Sequence, residues 1–354
     1  TLTASMLGAF GIIIGLFIRS EEIVHERNPF IRRFPVHELP EDKKIDLKVN
    51  SFYFAGYEKG VLYLGNYTAP FTVTVVDTAL HKSTLIRIQP DTLLHNYKAL
   101  HLRTLNHQFY LTDGTIPCLY QGKTDDWKAV LQPKLHNTFT LAAPIDSNQI
   151  AFRQLSAVTE SNIIGTWTKK DSMIRKVNRG LLVKQQAGFF DTDGMLLYNQ
   201  QFQQLHYLYY YRNEFLTIDK HLNLVRTGRT IDTVTTAAIK VKKLENGEST
   251  MAQPPLLINK AVATYHNLLF IQSDRIGKFD RAEKLQQNAV IDLYDIKTGN
   301  YQASFYLPNI GTEKITSFTV IGNKVYYLSG NHLAVLKLSK KITRYYAEGT
   351  TPPH

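Results

Sequence analysis

From about residue 50 to residue 338, hydrophobic and polar positions alternate in strand-length runs closed by glycine, asparagine or aspartate. Period-two alternation between such turn residues predicts half-buried β-strands. The last stretch is the clearest. Residues 315–320 lead through Gly322-Asn323-Lys324 into 325–328, and Ser329-Gly330-Asn331 turns into 332–338. The same order opens the series, with 51–56, then 61–66, then 71–77, and it returns in 261–265, 268–271, 290–295 and 301–306. Weaker copies cover 96–140, 144–184 and 188–231. Recurrence every 40 to 60 or so residues is the cadence of propeller blades. Roughly 300 residues at about 49 per copy predict six blades, with five or seven also compatible. A β-sandwich followed by a second β-domain explains the strands but leaves their recurrence unexplained. In the least regular part, 232–256, residues 234–243 are expected as an outer strand before a loop through Pro254-Pro255.

One segment breaks the pattern. Residues 1–18 carry no charge, and 6–18 (MLGAFGIIIGLFI) are apolar or glycine throughout. A helix of eighteen residues spans roughly 27 Å, close to a bilayer's hydrocarbon core. Arg19-Ser20-Glu21-Glu22 ends the run without a small-x-small cleavage site, which favours a retained anchor over a signal peptide. Gly11 and Gly15 form a G-x-x-x-G, which glycine's frequency in membrane helices explains without helix pairing. Residues 20–48, interrupted by Pro29, Pro35 and Pro40, are expected as a juxtamembrane stalk. Within it, 28–35 mixes aromatic and basic residues and suits either the lipid surface or the globular body. The expected division is an anchor at 1–19, a stalk at 20–48, a propeller at 49–347 and a tail at 348–354.

Composition changes little. Tyr (20) and Phe (18) are abundant, as pleated strands favour. The net charge of +11 concentrates at 169–184, which reads as a solvated hairpin face. No nucleic-acid motif accompanies it, so no nucleic-acid partner is expected. The single cysteine, Cys118, excludes an intrachain disulfide and a cysteine-based zinc site, and reads as a buried structural thiol.

The blade cadence, with phrases such as Val325-Tyr326-Tyr327-Leu328, resembles the TolB-like and NHL-like six-bladed propellers, particularly uncharacterised membrane-anchored bacterial members. That resemblance covers most of 50–345. It implies a propeller outside the cytoplasm, hence periplasmic beside a bacterial inner membrane, and used for binding. The basic flank Arg19, Arg27, Arg32 and Arg33 points the opposite way by the positive-inside rule, and the resemblance outweighs it.

Chemistry is sparse in linear form. Asp191-Thr192-Asp193-Gly194 opens like a calcium loop, but Leu196 and Phe202 occupy the positions that need Gly and Glu, so a turn before a strand is expected. The histidines form no zinc motif, and no nucleophile elbow or phosphate loop is present. No catalytic, metal or cofactor residue is assigned, and no cofactor is expected. Propeller enzymes assemble sites from distant residues, so a metal-dependent hydrolase or lactonase at the central channel is the alternative. Turns between second and third strands emerge beside the links between blades, which places Tyr67, Arg212, Asn213, Asp274, Arg275 and His332 on one rim. These are the candidate residues for a protein or small-molecule partner. The longest such turn, 273–287, has two readings: extra length kept by neutral drift, or a mixed-charge loop that orients a partner. The tyrosine run 207–211 is expected to pack between blades.

Overall fold

The computed structural model describes residues 28–36, 39–94, 96–170, 172–186, 188–245 and 249–346, apart from the side chains of residues 41 and 42. The expected anchor, the first part of the expected stalk and the C-terminal tail lie outside the described residues. Among the described residues, no helix is long and apolar enough to cross a membrane.

Alternation and tight turns produce six antiparallel blades. Blade 1 is Phe52–Glu58, Val61–Asn66, Thr72–Asp77 and Ser83–Arg87. Blade 2 is His101–Leu105, Gln108–Asp113, Cys118–Lys123 and Lys128–Leu131, with Gln89–Pro90 added in parallel at its outer edge. Blade 3 is Leu141–Pro144, Gln149–Ser156, Ser161–Lys169 and Met173–Asn178. Blade 4 is Gly194–Asn199, Gln204–Tyr209, Glu214–Asp219 and Leu224–Arg229, and blade 5 is Ala261–Tyr265, Leu268–Ser273, Asn288–Asp295 and Tyr301–Pro308. Blade 6 runs Ile315–Ile321, Lys324–Ser329 and His332–Lys337, and takes its outermost strand, Glu41–Asp46, from the other end of the chain. First strands touch in order around the axis, blade 6 meeting blade 1. The all-β six-bladed propeller expected from the sequence is the fold observed.

Each blade buries both faces, so each interface between blades has its own core. Tyr207 and Tyr209 pack with Ala151 and Ile164 of blade 3, whereas Leu208, facing the other way, packs with Leu269 and Ile271 of blade 5. Residues 207–209 of the tyrosine run are therefore packing material, as expected, whereas Tyr210 and Tyr211 are half-buried outside these cores. Four blades repeat one device, an aromatic ring laid over a cross-strand glycine: Tyr53 opposite Gly65, Phe109 opposite Gly122, Phe152 opposite Gly165 and Phe215 opposite Gly228. A Cβ on Gly228 would stand 2.1 Å from the Phe215 ring. Cys118 is buried, and burial pushes its thiol up to about 11.

Two stretches depart from expectation. Of residues 234–243, Val241–Lys243 is strand, and it pairs with Ser249–Met251 in a hairpin apart from the blades. The described part of the expected stalk is packed into the propeller. Glu41–Asp46 was illegible as a strand because five of its six residues are charged, which an outer edge strand tolerates.

Residues 28–34 form a strap along the outer edge of blade 5. The Asn28 backbone N–H donates to the Ile276 carbonyl (3.0 Å) and Lys278 N–H to the Phe30 carbonyl (2.9 Å). Ser304 N–H donates to the Arg33 carbonyl (2.8 Å), and Phe34 stacks on Tyr306 with centroids 4.4 Å apart. Arg32, its side chain fully buried, binds Asp292 through Nε (2.8 Å), pairs with Asp280 and donates to the Arg275 carbonyl (2.8 Å). Burial opposes its charge, but Asp292 and Asp280 outweigh that and raise its pKa above the ordinary value.

Candidate functional site

In every blade the second-to-third-strand connection lies on the face where one blade passes to the next. Tyr67 N–H donates to the Ser51 carbonyl (3.0 Å) and Phe139 N–H to the Gly114 carbonyl (3.0 Å). Asn162 Nδ2 donates to the Phe189 carbonyl (2.8 Å), and Ser329 Oγ to the Glu313 carbonyl (2.6 Å). These connections and the strand ends beside them hold the links. The calcium-like stretch is one of those links. Asp191 accepts from Gln185 and Gln186 N–H, while Asp193 pairs with Arg153.

Arg212 is 2% exposed and lies over the Tyr209 ring, 3.5 Å from its centroid. It donates to the Val183 carbonyl (3.1 Å) and pairs with Glu214 (3.1 Å). Asn213 is buried, and its amide donates to the Asp232 carbonyl. Arg275 meets the same residue, its Nε donating to Asp232 Oδ2 (3.1 Å), while another amino group reaches Asn28 (2.9 Å). Asn213 and Arg275 thus converge on Asp232, beneath the strap. Asp274 is exposed and pairs with Lys260 (2.9 Å). His332 is half-buried opposite Asp46 on the outermost strand of blade 6. Tyr67 stands apart from the others. It is 62% exposed, 4.5 Å from the Tyr53 ring and 5.9 Å from the His101 ring, at the mouth of the central channel.

The first strands enclose a channel cavity of about 380 Å³. Its walls include Tyr53 to Tyr57, Arg103, Thr104, Ala143, Leu196, Val262, Ser317 and Phe318, so all six blades contribute. Tyr53 and His101 stack at 4.1 Å, and Tyr53 Oη accepts from Leu102 N–H (2.7 Å), joining blades 1 and 2. Arg103 projects from the same face of its strand as His101 and donates to the Phe54 carbonyl (2.7 Å). At the far end, Gln200 of blade 4 donates to Asn106 of blade 2.

The cavity's electrostatics are one-sided. Arg103 and His101 line it, and among the described residues no Asp or Glu does. Burial lowers the Arg103 pKa, opposed by Tyr53 and Tyr67. Burial, then Arg103, holds His101 well below the usual histidine range. At the mouth, burial and Asp193 raise the Tyr210 pKa; Arg153 opposes, while Tyr211 and Tyr67 add to the rise. Thr104 Oγ1 and Ser317 Oγ are buried without a hydrogen-bond partner in the protein. Carboxylate and amide ligands for a divalent cation are not assembled here, and no cluster of three or more His, Cys, Asp or Glu suited to a metal occurs among the described residues. The channel's donor set therefore does not fit the metal-dependent alternative.

Sequence reading missed Tyr53, His101, Arg103, Thr104 and Ser317. A faint signal exists in His101-Leu102-Arg103, where two basic residues occupy alternate positions and so share one strand face.

No family model matches the chain, and no curated protein matches it. Solved structures do. A member of the DUF4221 family from Bacteroides vulgatus aligns with a TM-score of 0.56 at 11% identity, covering 85% of this chain and 97% of that one. A catalytically inactive virginiamycin B lyase from Staphylococcus aureus, solved with quinupristin, aligns at 0.50 and 10% identity, covering 84% and 99%. At such identities the likeness is one of fold.

Proposed function

We propose that this chain is a non-enzymatic binding or assembly module whose ligand or partner is received on the face where the channel cavity opens. One observation carries the reading. On that face Arg212, Asn213 and Arg275 serve the links and the strap, whereas Tyr67 projects at the entrance to a lined cavity with unpartnered polar groups. Pockets of this size, mostly apolar with a few placed polar groups, are where propellers and other rigid scaffolds hold ligands. Exposed Asp274 and half-buried His332 extend the recognition surface outward. The module is membrane-anchored through the apolar run at 6–18, with the propeller on the periplasmic side of a bacterial inner membrane; the uncharged run and the resemblance to TolB-like and NHL-like propellers support this.

A benzophenone amino acid placed at Tyr67 in the full-length protein should capture a partner in intact membranes, and the same probe at Lys59, in a turn of the opposite face, should not. Capture from Lys59 alone would overturn the assignment of the face. Protease added to intact cells should cleave the propeller once the outer membrane is permeabilised, and protection until the inner membrane is broken would place it in the cytoplasm.

A further inference from the structure

We propose that the channel cavity is a carboxylate-binding site, in which Arg103 receives the anionic head of a small ligand whose apolar body lies along the first strands. The inference rests on the binding reading above and names the ligand's chemistry. Three features of the cavity converge on it.

The first is unmatched charge. A guanidinium offers five N–H donors in a planar fork suited to bidentate carboxylate recognition. The hydrogen bond described for Arg103 goes to a neutral carbonyl, that of Phe54. No Asp or Glu lines the cavity among the described residues, and Asp193 near the mouth already pairs with Arg153. An incoming carboxylate thus meets a half-buried cation and no competing anion of the protein.

The second is the pair of unpartnered hydroxyls. Thr104 follows Arg103 on blade 2, and Ser317 lies on blade 6. Between them on blade 1 is Gly56, whose missing Cβ would stand 2.1 Å from Thr104 Oγ1. Both residues line the cavity, with their oxygens inaccessible in this conformation, so a change of side-chain rotamer would present to the ligand a hydroxyl that the fold leaves open.

The third is shape and polarity. Leu196, Val262, Ala263 and Phe318 give apolar walls, and Tyr53, Tyr67 and His101 stack as an aromatic flank beside Arg103. One monovalent cation with such walls suits an apolar monocarboxylate better than a phosphate ester, whose second charge would find no partner.

The test uses full-length protein in nanodiscs, titrated calorimetrically with phenylacetate and its uncharged isostere phenylacetamide. The wild type should bind phenylacetate at least about tenfold more tightly, as one charge-assisted contact implies. Arg103→Gln should bring phenylacetate to the level of the amide without changing amide binding, and Arg103→Lys should restore part of the preference. Ser317→Phe, which fills the cavity, should abolish both, with a thermal melt confirming that each variant is folded. Equal binding of acid and amide, both blocked by Ser317→Phe, would overturn the carboxylate site and leave the channel as a binding cavity. Binding of neither probe at millimolar concentration would also overturn it, even with capture from Tyr67 intact. Loss of that capture would instead bring down the underlying reading of the face.

Discussion

Replacing Arg32 by Met tests whether the strap is part of the propeller's stability. The substitution removes the Nε and Nη2 hydrogen bonds to Asp292 (2.8 and 3.2 Å), the pairing with Asp280 and the bond to the Arg275 carbonyl. Asp292 then keeps Ser304 Oγ, and Asp280 keeps Gly277 N–H at 2.8 Å. Both carboxylates are nearly inaccessible, at 2% and 4% side-chain exposure. Breaking a buried pair by removing one partner costs about 3–5 kcal/mol, because the charge left behind is desolvated and uncompensated. With an unfolding entropy of about 2.1 cal/mol/K per residue over roughly 320 packed residues, that is a fall in Tm of about 4–7 °C. Chemical denaturation at pH 7 gives the free energy, and hydrogen exchange at the Lys278 and Ser304 amides shows whether the strap lifts first. Adding Asp292→Asn to Arg32→Met should recover part of the loss, since an amide leaves no unpaired charge. A loss below about 1 kcal/mol with both amides still protected would refute the reasoning.

Other consequences follow from particular contacts. Gly228→Ala should cost about 1–3 kcal/mol through collision with the Phe215 ring, whereas Gly180→Ala, whose nearest atom would be Asn178 Oδ1 at 3.5 Å, should be close to neutral by the same denaturation assay. His206 is fully buried, and burial lowers its pKa to about 3. Below the unfolded value near 6.5 the unfolded chain takes up a proton that the fold refuses, so stability falls by up to about 1.4 kcal/mol per pH unit from 6.5 toward 3. His206→Leu should flatten that acid limb relative to wild type; an unchanged slope would show that other groups set it. Cys118, raised to about 11, should resist iodoacetamide at pH 8 in the native protein and react once denatured, and rapid native labelling would contradict its burial.

What the sequence revealed depended on how local each signal was. Blade 6 was legible because Gly322-Asn323 and Gly330-Asn331 sit between alternating runs, and local alternation is enough to define a hairpin. The length of 273–287 was visible, but its use was not. Asp280 and Arg32 are 248 residues apart, and neither carries a mark of the other. The surplus length builds a dock for the chain's own residues 28–32, which places Arg275 in a structural contact with Asn28. The rim candidates were legible as turn residues, yet a turn does not say whether a side chain points to solvent or back to a link. Arg212 turns back, and Tyr67 points out. Arg103 was hidden for a further reason: a strand's inward face acquires meaning once six strands surround an axis.

Strand order also joins the strap to the cavity. Tyr67 at the mouth, and Ile276 and Lys278 that hold Asn28 and Phe30, all belong to second-to-third-strand connections, so the chain enters the propeller on the mouth face. The clasp at Arg32 makes that entry rigid, because the strap cannot swing without stripping two buried carboxylates of their cation. Residues 20–27 extend over at most about 28 Å when fully stretched. With the proposed anchor at 1–19, the mouth would lie close above the lipid surface and the opposite face, with Lys59 and Asn106, would turn toward the aqueous side. A large partner approaching the mouth would have to share that gap with headgroups, whereas a small amphiphilic carboxylate concentrates there by the same apolar body and anionic head that fit the cavity. The proposed attachment and the proposed carboxylate site would thus select the same class of ligand.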